Sequence, residues 1–363
     1  MEESLKREIE ATLAAIKPMD KEAMAAVRAR QERLTKPSGS LGRLEEITVK
    51  LAGITGNPHP KVDRKCIVLM AGDHGVVSEG VSAYPSEVTP QMVFNFLRGG
   101  AAINVLARQV GARVVVADLG VATDLPEHPG LLNRKIGYGT RNMMIGQAMT
   151  RLEALKAVLA GIEIARQEAE KGLDVVGTGD MGIGNTTPSS AIVATFTGLP
   201  VGMVTGRGTG LDDSGLSRKI GVIERSIETN RPDKSDPLDV LAKVGGFEIA
   251  GLTGLIFGAA AAQIPVVIDG FISTAAALIA TEWYPPVSSY LISAHNSVEI
   301  GHRAMLEHME LSPLLNLNLR LGEGTGAAIA MSVIEAATRT LEEMATFDEA
   351  GVSESESKLE ITQ

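Results

Sequence analysis

The stretch Cys66-Ile-Val-Leu-Met-Ala-Gly-Asp-His-Gly75 sets five apolar residues in a row against a small polar turn. An unbroken apolar run of this length, bounded by turn residues, is the pattern of a strand covered on both faces in a parallel sheet. Four more runs repeat it: Arg113-Val-Val-Val-Ala117, Leu173-Asp-Val-Val176, Ile264-Pro-Val-Val-Ile268 and Tyr290-Leu-Ile-Ser293. Helix-length segments such as Ala101 to Gln109, Leu152 to Glu170 and Ala275 to Glu282 lie between them, so right-handed β-α-β crossovers follow. The predicted class is a doubly wound α/β fold, a mostly parallel sheet with helices on both faces. Upstream, Leu5, Ile9, Leu13 and Ile16 recur at helical spacing among charged neighbours. The segment Lys36-Pro-Ser-Gly-Ser-Leu-Gly-Arg43 breaks that pattern, and a second helical run from Leu44 to about Leu51 ends in the loop Gly56-Asn-Pro-His-Pro60. This reading gives a small N-terminal helical element over 1–58, an α/β catalytic domain over 59–345, and a polar C-terminal tail over 346–363, in which Gly351 to Lys358 is expected to fray.

Composition narrows the function. The 34 Lys and Arg against 44 Asp and Glu make the chain acidic, and no basic, aromatic-rich stretch offsets this, so nucleic acid is not an expected partner. Cys66 is the only cysteine, which rules out an internal disulfide and a cysteine-based zinc site and fits a reducing cytoplasm. The N-terminus lacks a signal pattern. The most apolar stretch, Ile249 to Phe271, is interrupted by Gly, Gln263, Pro265 and Asp269, so it reads as core and not as a membrane span. The six histidines form no HExxH pair or other ligand spacing, and neither a GxSxG elbow nor a Walker A pattern occurs. No metal and no cofactor is expected.

Each predicted strand runs into polar or glycine-rich residues: Ala71 to Gly75, Asp118-Leu-Gly120, Gly177-Thr-Gly-Asp-Met-Gly182, Asp269-Gly270 and Ala294-His-Asn-Ser297. Ligands of open α/β sheets bind beyond the carboxyl ends of strands, so these loops should converge on one site. Gly177 to Gly182 matches the GxGxxG dinucleotide fingerprint, yet no helix opens at its end and no acid follows at the required distance. A phosphate loop fits better, with Asn185, Thr186 and Thr187 as side-chain donors and caps before a helix at Ser189. Thr205-Gly-Arg-Gly-Thr-Gly-Leu-Asp-Asp213 is a second such turn, followed by Arg218 and Lys219; a lysine there would act as a point charge on a phosphate oxygen. Asp73 and His74 read either as a cap with a hydrogen-bonded histidine or as site residues. Glu323 stands between glycines in Leu319-Arg-Leu-Gly-Glu-Gly-Thr-Gly-Ala-Ala328, after a short alternating strand Leu315 to Leu319 and before a helix Ala327 to Ile334. It could be an exposed turn acid. At a strand-to-helix junction, partial burial would instead raise its pKa into the range of a general base.

Together these segments closely resemble the nicotinate-nucleotide:dimethylbenzimidazole phosphoribosyltransferases, which prepare the lower ligand of cobalamin. The resemblance runs through Lys36 to Arg43, Ala71 to Val76, Ser82-Ala-Tyr-Pro85 with Gln91, Gly99 to Asn104, Met181 to Thr187, Gly206 to Gly210, Asp269 to Thr274 and Leu321 to Gly326. It implies transfer of phosphoribose from nicotinate mononucleotide to an aromatic lower-ligand base, in a homodimer, or in a heterodimer with a paralogue. On the matching positions it implies Glu323 as the catalytic base. Gly182, Gly184, Asn185, Thr186, Gly208, Thr209, Lys219 and Ser297 would hold the phosphate and nucleotide, and Ser82, Tyr84 and Gln91 would line the base pocket. One departure is Asp180, where the family usually carries Glu. Its side chain is one methylene shorter, which leaves the role of Asp180 and the identity of the base open: dimethylbenzimidazole, or another such as phenol, p-cresol or adenine.

Overall fold

The computed structural model describes residues 2–353; the expected polar tail beyond Ser353 lies outside them. Six strands form one sheet: β1 Lys65–Gly72, β2 Ala112–Gly120, β3 Leu131–Asn133, β4 Val175–Met181, β5 Val266–Ile268 and β6 Leu291–Ser293. Every pairing is parallel and the order is β3-β2-β1-β4-β5-β6. Strand order reverses between β1 and β4, the switch point where such sheets open a crevice. All residues of β1, β4, β5 and β6 are buried, which explains the continuous apolar runs of β1 and β5.

Three local expectations are corrected. β3 is additional to the predicted strands, since three residues with only Leu131 and Leu132 half-buried leave no pattern to read. The Gly177–Met181 segment is strand and not loop. Its glycines serve close packing: a Cβ on Gly179 would lie 2.8 Å from the carbonyl oxygen of Glu323. The expected strand Leu315 to Leu319 reduces to a single bridge from Leu315 to His295. Residues 316–318 are exposed and Asn318 takes φ 55°, so the alternation there does not follow burial.

The long helices Arg151–Glu170 and Phe247–Ala261 cross backbone to backbone. A Cβ on Gly161 would overlap Gly251 O, and one on Gly254 would overlap Val158 O, so only glycine permits the approach. The second helix is buried along nearly its whole length, as its apolar sequence implies. Among the described residues no helix is long and apolar enough to cross a membrane.

The chain divides into two compact units, and not where the sequence suggests. One comprises the chain up to Lys17 together with Arg64–Ala330; the other comprises Pro18–Asp63 and the chain from Met331 on. The first helix, Glu2–Ala14, therefore belongs to the α/β unit: Arg166 Nη2 donates to Thr12 Oγ1 at 2.8 Å, and Tyr290 Oη donates to Lys17 O at 2.9 Å. The helical unit packs Val27, Val49, Ala52 and Leu341 together, and its Lys36 Nζ pairs with Glu45 Oε1 at 2.8 Å. At the start of the expected polar tail, Thr346 and Glu349 form a capping box that opens the helical turn Phe347–Ala350.

Candidate functional site

A cavity of about 530 Å³ opens in the α/β unit, lined from the carboxyl ends of β4, β5 and β6. The ends of β1 and β2 do not reach it, so three of the five strand-end loops converge and two do not. Asp118, near the end of β2, accepts from Val121 N and pairs with Lys135. His74, after β1, is buried beneath the β4 turn. Its Nε2 lies 2.8 Å from Glu248 Oε1 and 3.3 Å from where a Cβ on Gly182 would be.

One wall is built for an anion. Gly182 has no room for a side chain, since a Cβ would overlap Gly72 O. The chain then turns through Gly184 at φ 88° into the helix Thr186–Thr197, whose N-terminal peptide dipoles favour negative charge; Asn185 stands at its N-cap position but, contrary to expectation, forms no side-chain cap bond. Lys219 comes from the helix Asp213–Asn230 and is fully buried. Its Nζ donates to Thr186 Oγ1 at 2.7 Å and to Gly206 O at 3.4 Å. Burial lowers its pKa to about 8, partly offset by Glu299. Gly208, at φ 52°, covers this pair so closely that a Cβ would lie 2.9 Å from Thr186 Oγ1 and 3.2 Å from Lys219 Nζ.

The adjoining wall is acidic. Glu323 is 6% exposed, with a left-handed φ of 63°, and its Oε2 has no hydrogen-bond partner. Burial raises its pKa to about 7, and the neighbouring charge of Asp269 adds to the effect. Asp180, at the end of β4, is buried and raised well above the usual carboxylate range, first by burial and then by Asp269 and Glu248. Asn185 Nδ2 donates to its Oδ2 at 3.0 Å, while Oδ1 has no partner. His295, after β6, lines the same wall, and its Nδ1 is likewise unpartnered. Ser297 N–H donates to His302 Nδ1 at 2.9 Å, so His302 must carry its proton on Nε2, facing Thr274 Oγ1. Between the two walls, Tyr84, Val88, Met92, Ile183, Phe271, Ile272 and Leu321 form an apolar slot.

Of the residues singled out in the sequence, Gly182, Asn185, Thr186, Gly208, Thr209, Ser297, Tyr84, Asp180 and Glu323 all line the cavity. Four do not. Lys219 stands behind Thr186, and Gly184 shapes the turn. Ser82 lies at the rim, its Oγ 3.4 Å from Thr209 Oγ1. Gln91 is exposed on the helix Val88–Leu97, whose Val88 and Met92 face the slot. Sequence reasoning misses the wall residues Glu299 and Arg320, and it gives no role to His295 or Asp269. Asp269 directly follows a predicted strand and His295 stands two residues past another, which is the available signal.

The fold and this cavity define an α/β enzyme that sets glycine turns, a helix N-terminus and buried carboxylates around an apolar slot. A family model described as Phosphoribosyltransferase matches residues 16–352. A nicotinate-nucleotide–dimethylbenzimidazole phosphoribosyltransferase of Roseiflexus sp. (strain RS-1) is 60% identical over 342 residues, 94% of this chain and 97% of that protein. One of Geobacter sulfurreducens is 58% identical over 342 residues, with the same coverage of both chains. A crystal structure of such an enzyme from Thermus thermophilus superposes with a TM-score of 0.88 at 48% identity, covering 93% of this chain and all of that one. The chain belongs to this phosphoribosyltransferase family.

Proposed function

We propose that the protein transfers phosphoribose from nicotinate mononucleotide to 5,6-dimethylbenzimidazole, giving α-ribazole 5'-phosphate and nicotinate. The observation that carries the reading is Glu323: a nearly buried carboxylate with a free oxygen and a pKa of about 7, facing an apolar slot beside a phosphate-type turn. The phosphate would sit on the turn from Gly182 to Thr186 and beside Gly208 and Thr209, with Lys219 supplying charge through Thr186 or directly. The aromatic base would lie in the slot between Tyr84, Val88 and Met92.

The chemistry asks little more. The nicotinate ring of the mononucleotide is a cationic pyridinium, so breaking its bond to C1' returns the electron pair to the ring nitrogen and neutralises it. No acid is needed for the leaving group. One ring nitrogen of the base attacks C1' from the opposite face, which inverts the β-configuration to α, while the N–H proton of the other nitrogen passes to Glu323. A positioned base contributes about 10²- to 10⁴-fold in rate, and holding both reactants in line contributes further.

The expected setting is the cytoplasm and the expected assembly a homodimer. Supporting the dimer, Tyr84 and Leu321 are 54% and 56% exposed at the cavity rim, where a second copy could cover them. Assaying the purified chain with nicotinate mononucleotide and a panel of dimethylbenzimidazole, phenol, p-cresol and adenine tests the substrate reading. Turnover of dimethylbenzimidazole to ribazole phosphate is expected; turnover of phenol alone would reassign the base and point to Asp180 as the cause. Sedimentation of the same preparation reads the assembly.

A further inference from the structure

We infer that Asp269 is a positioning residue for Glu323: its carboxylate fastens the turn that carries Glu323 and, as a fixed negative charge beside it, tunes how tightly Glu323 holds a proton. The inference rests on the reading of Glu323 as the base.

Asp269 is the first residue after β5 and is completely buried. Its own N–H donates to Thr178 Oγ1 at 3.1 Å, which fixes its backbone to β4. Its Oδ2 accepts from Gly324 N at 2.9 Å and its Oδ1 from Ala327 N at 3.0 Å, and the N–H of Gly326 adds to them. One side chain therefore binds the residue after Glu323 and the first turn of the helix Thr325–Glu343 together. Such a clamp is needed because Glu323 holds a left-handed φ that a non-glycine residue adopts only when its surroundings impose it. The clamp also excludes alternatives at Gly326, where a Cβ would overlap His295 Cδ2 and fall 2.8 Å from Asp269 Oδ1.

The same contacts favour the ionised form. Both oxygens accept from N–H donors, which stabilises negative charge on them, and His295 Nε2 stands 3.8 Å from Oδ1. Burial raises the pKa of Asp269 above the ordinary carboxylate value, and His295 and the three N–H groups pull it back down. Two titratable groups interact with Glu323, Asp180 from β4 and Asp269 after β5, and His295 after β6 lies against Asp269 and lines the same cavity. Glu299 and Arg320 line the same cavity, and Glu248 with its partner His74 acts on Asp180. Of these, Asp269 is the neighbour whose charge adds to the effect of burial on Glu323.

The test separates charge from scaffolding. The carboxyl signal of Glu323 is followed against pH by ¹³C NMR of glutamate-labelled protein and assigned by its loss in Glu323→Gln. The pH profile of kcat/KM is measured alongside. In the native protein the signal should titrate near pH 7. In Asp269→Asn, checked for folding by thermal melting, both the titration and the acid limb should move down by about half to one pH unit, as expected for losing a close like charge. Asp269→Glu keeps the charge but misplaces it, so the plateau should fall while the limb stays. An unmoved titration in folded Asp269→Asn overturns the inference. If that variant does not fold, native Glu323 titrating near 4.5 overturns it instead. The two readings fail separately: a Glu323→Gln enzyme that still turns over removes the base assignment without touching the titration result.

Discussion

Replacing Glu323 by Gln should make the protein more stable at alkaline pH, although it removes the proposed base. In the folded chain the carboxyl holds its proton up to about pH 7, against 4.5 for an ordinary glutamate. The folded state thus binds this proton more tightly than the unfolded chain does. Below about pH 4.5 both states are protonated and there is no cost. As pH rises from there to 7, native stability falls, and above 7 the whole penalty is present, about 3 kcal/mol at 1.4 kcal/mol per tenfold change. Gln fills the same space without a charge and escapes this penalty. Between pH 5 and pH 8 the stability of the variant relative to the native protein should therefore rise by about 2.5 kcal/mol. With an unfolding entropy of about 2.1 cal/mol/K per residue over 363 residues, this is a relative gain in Tm of about 3 °C. Calorimetric melts of the two proteins at both pH values supply the measurement. The other acids of the cavity are common to both, so their own titrations largely cancel. A difference in Tm that does not change with pH would show that Glu323 ionises as freely as in water and would refute the buried-base argument.

The other expectations are briefer. The kcat/KM of the native enzyme should rise tenfold per pH unit up to about pH 7 and then level, because Glu323 works only when deprotonated; a flat profile from pH 5 to 8 would contradict this. Lys219→Met should raise KM for nicotinate mononucleotide by roughly 10- to 100-fold, the equivalent of a charged hydrogen bond, with a smaller effect on kcat; an unchanged KM would remove Lys219 from the phosphate site. Gly161→Ala drives a methyl into Gly251 O and should destabilise by about 3 kcal/mol or more, read by urea unfolding. Gly221→Ala is its control: exposed, helical and with nothing within 4 Å, it should stabilise by about 0.5 to 1 kcal/mol.

What the sequence shows and what it hides follow from range. Cys66 to Met70 and Arg113 to Ala117 are readable as strands because burial on both faces leaves a local, unbroken apolar signature. β3 is not, because Leu131 and Leu132 owe their place to pairing with β2, a contact made across the sheet. The Gly177 to Gly182 segment misleads for a similar reason. Its glycines look like a loop, whereas Gly179 is small so that the Glu323 turn can lie against it, a demand from residues far along the chain. In the site, turn residues such as Gly182, Asn185, Thr186 and Glu323 carry local signals of glycine and cap chemistry. Val88 and Met92 carry none, since an apolar pair at helical spacing looks the same facing a core or a ligand. Asp269 is hidden again in its effect: its position after a strand is visible, but its bonds to Gly324 and Ala327 span more than fifty residues.

The buried lysine behind Thr186 has a thermodynamic consequence. With Lys219 at about 8 and Glu323 at about 7, both groups change their charge within a unit or so of neutrality. In the proposed reaction a phosphate arriving beside Lys219 would favour its ammonium form, and the transfer step would load a proton onto Glu323. The cavity is thus a small proton buffer wired to its own substrates, and the heat of binding nicotinate mononucleotide should vary with the ionisation enthalpy of the surrounding buffer.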